Sequence, residues 1–255
     1  MSISALGNPS LAQYSFPRPF YDTGRIFFYD SFEDWVIRGG RADNNPSLGG
    51  ATLITAEVAR TGQNSLQLRV PSPATGNYQD YNHVWNIGGL LGPLIVGLEA
   101  HVMFRAKGSV LGFSIERTGG PSGSSSVKRE WRAEYDSTTD NHNEVNGASG
   151  VTKTPLFIAH LQRTDEGTLQ AIPERAYWHP LKLVANLDQI GPGCGRWRAA
   201  GQTALFAQND RSTDNSASMG DNLVRFEFHV TGNNPPNPNP SVYIDDMFLS
   251  LEPGV

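Results

Sequence analysis

The chain has 255 residues, with 20 Lys and Arg against 25 Asp and Glu, and a formal net charge of −5. Its 27 Gly and 17 Pro argue against a helical bundle, because these are the poorest helix-interior residues, while 38% hydrophobic and 10% aromatic content is enough for a core and argues against a disordered tail. Net acidity without a Lys/Arg cluster excludes nucleic acid as the expected main partner, since phosphate neutralisation needs clustered cations.

The length suits one large or two small domains and needs no disulfide staple. The single cysteine, Cys194, lies in Gly191-Pro192-Gly193-Cys194-Gly195 and reads as part of a turn. Met1–Leu11 carries neither a positive n-region nor an apolar h-region, so no secretory signal is expected and synthesis is read as cytoplasmic. The longest mostly apolar run, Gly88–Leu98, is interrupted by Pro93 and falls far short of the roughly 20 residues of a membrane span, so no membrane insertion is expected.

Residues 1–25 read as an extended arm. Pro9, Pro17 and Pro19 fix an open path, and Tyr14, Phe16, Phe20 and Tyr21 are interleaved with them. Aromatics left in water are costly, so the arm is expected to lie on something: its own domain or a neighbouring subunit, as in a homo-oligomer.

From Ile26 onward the pattern is short strands between turn clusters. Leu66, Leu68 and Val70 share one face of Asn64–Val70. Leu98–Ala106 sets Leu98, Ala100, Val102 and Phe104 against Glu99, His101, Met103 and Arg105. Val110–Arg117 groups Leu111, Phe113 and Ile115; Val127–Tyr135 sets Trp131, Ala133 and Tyr135 against Glu130, Arg132 and Glu134. Leu181–Leu187 and Leu223–Thr231 repeat the alternation, the second with Val224, Phe226, Phe228 and Val230 opposite Arg225, Glu227 and His229. Period 2 is the mark of half-buried antiparallel strands. Gly119–Ser126, Asp140–Gly150, Asn209–Asp221 and Gly232–Pro240 read as turn material. The expected fold is all-β: an antiparallel two-sheet β-sandwich, a jelly roll spanning 26–255, behind the arm.

Four segments carry a family resemblance. Phe28-Tyr29-Asp30-Ser31-Phe32-Glu33-Asp34-Trp35 is similar to the opening strand of jelly-roll carbohydrate-binding modules of the galactose-binding-like and concanavalin-like types. Ala59-Arg60-Thr61-Gly62-Gln63-Asn64-Ser65-Leu66 resembles their glycine turn into the next strand, and Val242-Tyr243-Ile244-Asp245-Asp246-Met247-Phe248-Leu249 their closing strand with paired aspartates. Tyr177–Leu183 is similar to the strand after a Trp in concanavalin-like domains. The resemblance implies one structural Ca²⁺, held by Glu33, by the turn through Gly62 and Asn64, and by Asp245 or Asp246. Hard oxygen ligands suit that ion. The other reading of the pair is a bulge, with one Asp solvated and one bonded to backbone N–H groups.

Enzymatic motifs are missing. Glu130 and Glu134 share a strand face but stand roughly 13 Å apart, too far for a retaining glycosidase pair, and are expected on a solvated face. The Glu-x-Asp-x-x-Glu motif of concanavalin-like glucanases is absent, as are Gly-x-Ser-x-Gly and His-Glu-x-x-His. His142 is expected in a polar loop. Aromatic patches that could bury sugar rings are Tyr78, Tyr81, His83 and Trp85, and Trp131 with Tyr135; at period 2 the same rings would equally suit a core. The sequence thus points to a non-enzymatic surface subunit of a larger assembly, of the virion decoration or appendage type, contacting neighbouring subunits. The alternative is a polysaccharide-binding module, and a glycan-active enzyme is the third.

Overall fold

The computed structural model describes residues 19–21, 24–43, 50–70, 78–86, 94–118, 127–146, 152–164, 177–189, 191–207, 211–214, 223–232 and 241–253, with the backbone alone at 41–43, 127–128 and 211–214. Sixteen strands are found among them. The first eight are β1 (Arg25–Asp30), β2 (Gly40–Asp43), β3 (Ala51–Thr55), β4 (Ser65–Arg69), β5 (Tyr78–Asn86), β6 (Ile95–Phe104), β7 (Ser109–Thr118) and β8 (Val127–Asp136). The rest are β9 (Asn141–Asn146), β10 (Thr152–Leu156), β11 (His179–Asn186), β12 (Gly195–Ala199), β13 (Gln202–Leu205), β14 (Arg211–Asp214), β15 (Leu223–Gly232) and β16 (Ser241–Leu251).

They form two antiparallel sheets. The first runs β13-β12-β11-β6-β16-β4-β3, and β1 also pairs with β16. The second runs β10-β9-β8-β7-β15-β5-β2, with β14 on the free half of β8. The expected all-β sandwich is what the chain adopts. Alternation explains it: Leu98, Ala100, Val102 and Phe104 of one sheet face Leu111, Phe113, Ile115, Trp131 and Phe228 of the other in one buried cluster. Edge-to-face rings tie the layers, Phe113 to Trp197 at 5.2 Å and Phe104 to Tyr135 at 5.0 Å.

Two stretches expected as turns are strands. Asn141–Asn146 forms β9 and Arg211–Asp214 forms β14. Their composition hides this because β9 turns His142 and Glu144, not apolar residues, to the inner side of the sheet, opposite Tyr135 and Ala133. Ladder pairing with β8 outweighs weak strand propensity.

Both faces of β6 are covered. Its inner residues line the main core, while Met103 on the outer face packs with Val58, Tyr177, Trp178 and Tyr243 in a satellite cluster. Further along, Glu99 lies beneath the arm: the Phe20 and Tyr21 backbone N–H groups donate to Glu99 Oε1 at 2.5 and 3.2 Å. Lys182 Nζ donates to the Tyr21 carbonyl at 3.0 Å, and Arg198 sits 5.8 Å from the Tyr21 ring. Residues 19–21 of the arm therefore lie on their own domain; Tyr14 and Phe16 fall outside the described residues.

Candidate functional site

The outward face of the second sheet is a charged grid fixed by strand register. One row runs Asp80, His229, Gly112, Glu134, Asn143 across β5, β15, β7, β8 and β9. The next runs Asn82, Glu227, Ser114, Arg132, Val145, and the third Val84, Arg225, Glu116, Glu130. Gly112 is the gap in the first row. A Cβ there would come within 3.1 Å of Arg132 Nε, so the missing side chain lets the guanidinium lie flat across the sheet.

Charges in the grid are partly matched. Arg132 Nη2 donates to Glu134 Oε1 at 2.5 Å, and Lys153 Nζ stands 2.7 Å from Glu134 Oε2. Ser114 Oγ donates to Glu130 Oε1 at 3.1 Å. Arg225 Nη1 approaches Glu116 at 3.6 Å and Glu227 at 3.8 Å, and His229 Nδ1 approaches Glu227 at 3.7 Å. Tyr78 stacks on His229 with centroids 5.1 Å apart.

These contacts sort the carboxyls. Burial opposes ionisation of Glu134, but Arg132 and Lys153 outweigh it and hold that carboxyl below its ordinary value. Glu227 has no such close cation: burial first, then the charges of Glu116, Asp80 and Glu130, push it up to about 8. The two carboxyls are thus biased oppositely, Glu227 toward the protonated, donating form and Glu134 toward the ionised, accepting one. Burial, then Arg132, pushes His229 down to about 3, so its ring is neutral. Arg132 Nε and Arg225 Nε are buried donors with no hydrogen-bond partner among the described residues.

The sequence expectations meet this site at few points. Glu130 and Glu134 are buried, 5% and 4% exposed, rather than solvated, because Arg132 between them on the same strand, Ser114 of β7 and Lys153 of β10 lie against them. Of the first aromatic patch only Tyr78 faces outward. Tyr81, His83 and Trp85 occupy the odd positions of β5 and turn inward together, so period 2 splits the patch between faces. The Tyr81 hydroxyl meets His83 Nε2 at 3.0 Å, and Trp85 packs edge-on to Phe27 at 5.1 Å. Trp131 and Tyr135 are fully buried in the core and offer no face to a ligand. His142 is a core residue at 1% exposure, not a loop residue. Glu116, Arg225, Glu227 and His229 were missed as site residues. The available signal was charged residues at period 2 on three strands that turn out to be adjacent.

The resemblance-derived set does come together. Glu33 accepts from the Gln63 and Asn64 N–H groups at 3.0–3.1 Å, and Asn64 Nδ2 donates to the Glu33 carbonyl at 3.1 Å. Asp245 Oδ2 accepts from the Arg60 and Thr61 N–H groups at 2.8 and 3.1 Å. Asp246 takes the Arg60 guanidinium at 2.6 Å, the Thr61 hydroxyl at 2.9 Å and the Tyr29 hydroxyl at 2.8 Å. The pair sits on a register shift of β16 against β6, with Asp246 at φ +51°, where β16 passes from β4 to β1. A bulge is present, as the second reading held, but neither Asp is solvated. Burial, then Asp246, pushes Asp245 up to about 8. Among the described residues no three His, Cys, Asp or Glu side chains form a metal-holding group, and the open oxygen of the cluster is Asn64 Oδ1, buried and accepting nothing. That amide oxygen beside a carboxylate is of the hard-donor class Ca²⁺ takes.

No protein-family pattern matches the chain, and no curated protein matches it in sequence. Solved structures do match in shape. A protein of unknown function with a galectin-like fold from Bacillus subtilis aligns over 90% of this chain and 97% of its own, at 10% identity and a TM-score of 0.53. The cellulose induced protein Cip1 aligns over 89% and 100%, at 15% identity and 0.52. An endo-β-galactosidase from Clostridium perfringens that releases GlcNAcα1-4Gal aligns over 91% of this chain and 63% of its own, at 8% identity and 0.50. At such identities the likeness is one of fold, that of a two-sheet jelly-roll β-sandwich.

Proposed function

We propose that the chain is a non-enzymatic polysaccharide-binding module, with the outward face of the second sheet as its ligand face. The observation that carries this reading is the grid of closely packed donors and acceptors in which Arg132 Nε and Arg225 Nε have no hydrogen-bond partner among the described residues. Buried polar groups left unpaired cost free energy, and hydroxyl-rich rings supply both donors and acceptors to such a surface. Tyr78 stacked on His229 adds an aromatic flank. The galectin-like and galactosidase shape neighbours support the class of ligand by analogy only.

Affinity electrophoresis through gels cast with neutral and acidic polysaccharides tests it. The wild-type chain should be retarded in at least one gel, and Arg225→Met should reduce that retardation while leaving the circular dichroism intact. Unretarded migration in every gel overturns the reading.

A second reading, a surface subunit of a larger assembly such as a virion decoration protein, is favoured by Phe157 at 96% exposure, Leu205 at 61% and Phe20 at 59%. Large side chains left this open suit burial under a neighbouring subunit. Removing residues 1–25 should then abolish oligomer formation in light scattering; an unchanged mass counts against it. For the Glu33–Asn64–Asp245–Asp246 cluster we propose one structural Ca²⁺, supported by the open Asn64 Oδ1 and by the adjacent buried carboxyls.

A further inference from the structure

We infer that Trp35, at the tip of the β1–β2 turn, is a stacking platform for a neutral pyranose ring, a glycan contact separate from the charged grid. This rests on the polysaccharide-binding reading and adds a residue to it. The turn runs from Asp30 to Gly39 and is pinned at several points. The Phe32 N–H donates to Asp30 Oδ1 at 2.8 Å, and the Phe32 ring is fully buried, edge-on to Tyr81 at 5.8 Å. Glu33 grips the Gln63 and Asn64 N–H groups. Arg38 reaches Asp30 at 3.2 Å and also pairs with Asp34, whose Oδ1 accepts from the Val36 N–H at 3.2 Å.

Two non-glycine residues in this turn adopt left-handed backbone, Phe32 and Trp35, both at φ +60°. For bulky residues that conformation is a genuine outlier. Phe32 gains a core position from it. Trp35 gains no core position: it is 60% exposed and stacks on no ring among the described residues. Strain that leaves a large ring mostly in solvent is the kind of outlier from which function is inferred. The backbone cost holds an indole outward on a rigid base, so little ordering remains to be lost when a ligand settles on it.

Size and charge select the occupant. Trp35 and its half-exposed neighbour Val36 are a patch of one or two side chains, well below the roughly 800 Å² per partner of a stable protein interface. One sugar ring matches an indole face. Asp34 and Arg38 stand beside it, 46% and 42% exposed, within a paired set that carries no excess cation to draw an anion. Their outer oxygens and N–H groups remain accessible to ring hydroxyls. The turn leads directly into β2, the edge strand beside β5, so a glycan chain crossing the outward face of the second sheet leaves past this edge.

The test uses Trp35→Gly and Trp35→Phe in the polysaccharide gel that retards the wild type best. Glycine adopts φ +60° freely, so Trp35→Gly should melt no lower than wild type yet bind at least tenfold more weakly. Trp35→Phe should keep most of the binding. Equal retardation of wild type and Trp35→Gly overturns the Trp35 inference and leaves the polysaccharide reading standing. A wild type unretarded in every gel overturns both. A Trp35→Gly variant that melts well below wild type overturns the account of stored strain and assigns the indole a structural role.

Discussion

Trp197 Nε1 donates to His142 Nδ1 across 3.0 Å and so ties β12 of the first sheet to β9 of the second. The other ring nitrogen, His142 Nε2, donates to the Ala159 carbonyl at 3.1 Å. Both ring positions are used by the neutral tautomer, and burial pushes the group down to about 4. A polar residue here does the work of an inter-sheet spacer. His142→Ala strands the buried indole N–H and opens a cavity, at a cost of about 2–4 kcal/mol. The melting temperature should fall by roughly 5–15 °C. His142→Gln, which retains an acceptor, should fall by less. Equal melting of His142→Ala and wild type would show that the bond contributes nothing.

The pH dependence of stability has a definite shape. His83, His101 and His142 are each pushed down to about 4 and His229 to about 3, with burial the first cause throughout. Unfolded histidines titrate near 6.5, so between about pH 4 and 6.5 the unfolded chain binds more protons at these four sites. Glu227 and Asp245, raised to about 8, act oppositely: the folded chain binds more protons at two sites from about pH 4 up to 8. Among these six groups four outweigh two below pH 6.5, so their contribution to stability rises with pH there; above it the two carboxyls dominate the set, and the contribution falls toward pH 8. A melting curve scanned from pH 5 to 9 should peak near 6.5. Glu227→Gln with Asp245→Asn should flatten the alkaline descent. A wild-type melting temperature that climbs between pH 6.5 and 8 contradicts the assignment of those two acids.

The sandwich was legible because period 2 is a local signal: Val224, Phe226, Phe228 and Val230 declare their strand without reference to any partner. The site was not, because it is written across strands. Glu227 is ordinary until Ser114 is known to sit opposite it and Glu116 and Asp80 to flank it. Glu130 and Glu134 read as solvated for the same reason, since nothing in Val127–Tyr135 reveals that Ser114 of β7 meets the first and Lys153 of β10 the second. The Tyr78–Trp85 patch failed on parity alone, one ring on the even face and three on the odd. Glu33, Gly62 and Asp245 could be grouped despite separations of up to 212 residues in sequence (245 − 33), because each lies in a segment with a family resemblance, and the structure brings these segments together. Trp35 belonged to one of those segments, but its exposure depends on a left-handed backbone that composition does not encode.

Gly62 and Glu33 are coupled sterically. A Cβ on Gly62, at φ +64°, would lie 2.3–2.5 Å from the Glu33 carboxylate. Gly62→Ala must therefore displace that carboxylate and release the Gln63 and Asn64 N–H groups, at a cost of about 2–4 kcal/mol in clash and lost bonds. Glu33→Ala alone loses the same bonds without the clash. The double variant should be clearly less destabilised than the sum of the singles, since one change removes what the other collides with. Strict additivity in denaturant titrations would place the Gly62 cost in its backbone alone.

The calcium proposal is separable from these contacts. Five backbone N–H groups, the Arg60 guanidinium, and the Thr61 and Tyr29 hydroxyls already serve the carboxyls of Glu33, Asp245 and Asp246, so the turn should hold its shape without an ion. An ion adds only its linkage term, about 2.7 kcal/mol at a hundredfold excess over its dissociation constant. For a chain of this length that is a rise of roughly 5–11 °C. Protein stripped with EDTA and dialysed should therefore remain folded, melt lower, and recover with Ca²⁺ but not with Mg²⁺, whose octahedral demand an irregular turn meets poorly. Asn64→Ala should abolish the recovery, because it removes the open oxygen and leaves the carboxyls in place. Identical melting with and without Ca²⁺ takes the ion out of the structure and leaves Arg60 as the cation that holds Asp246.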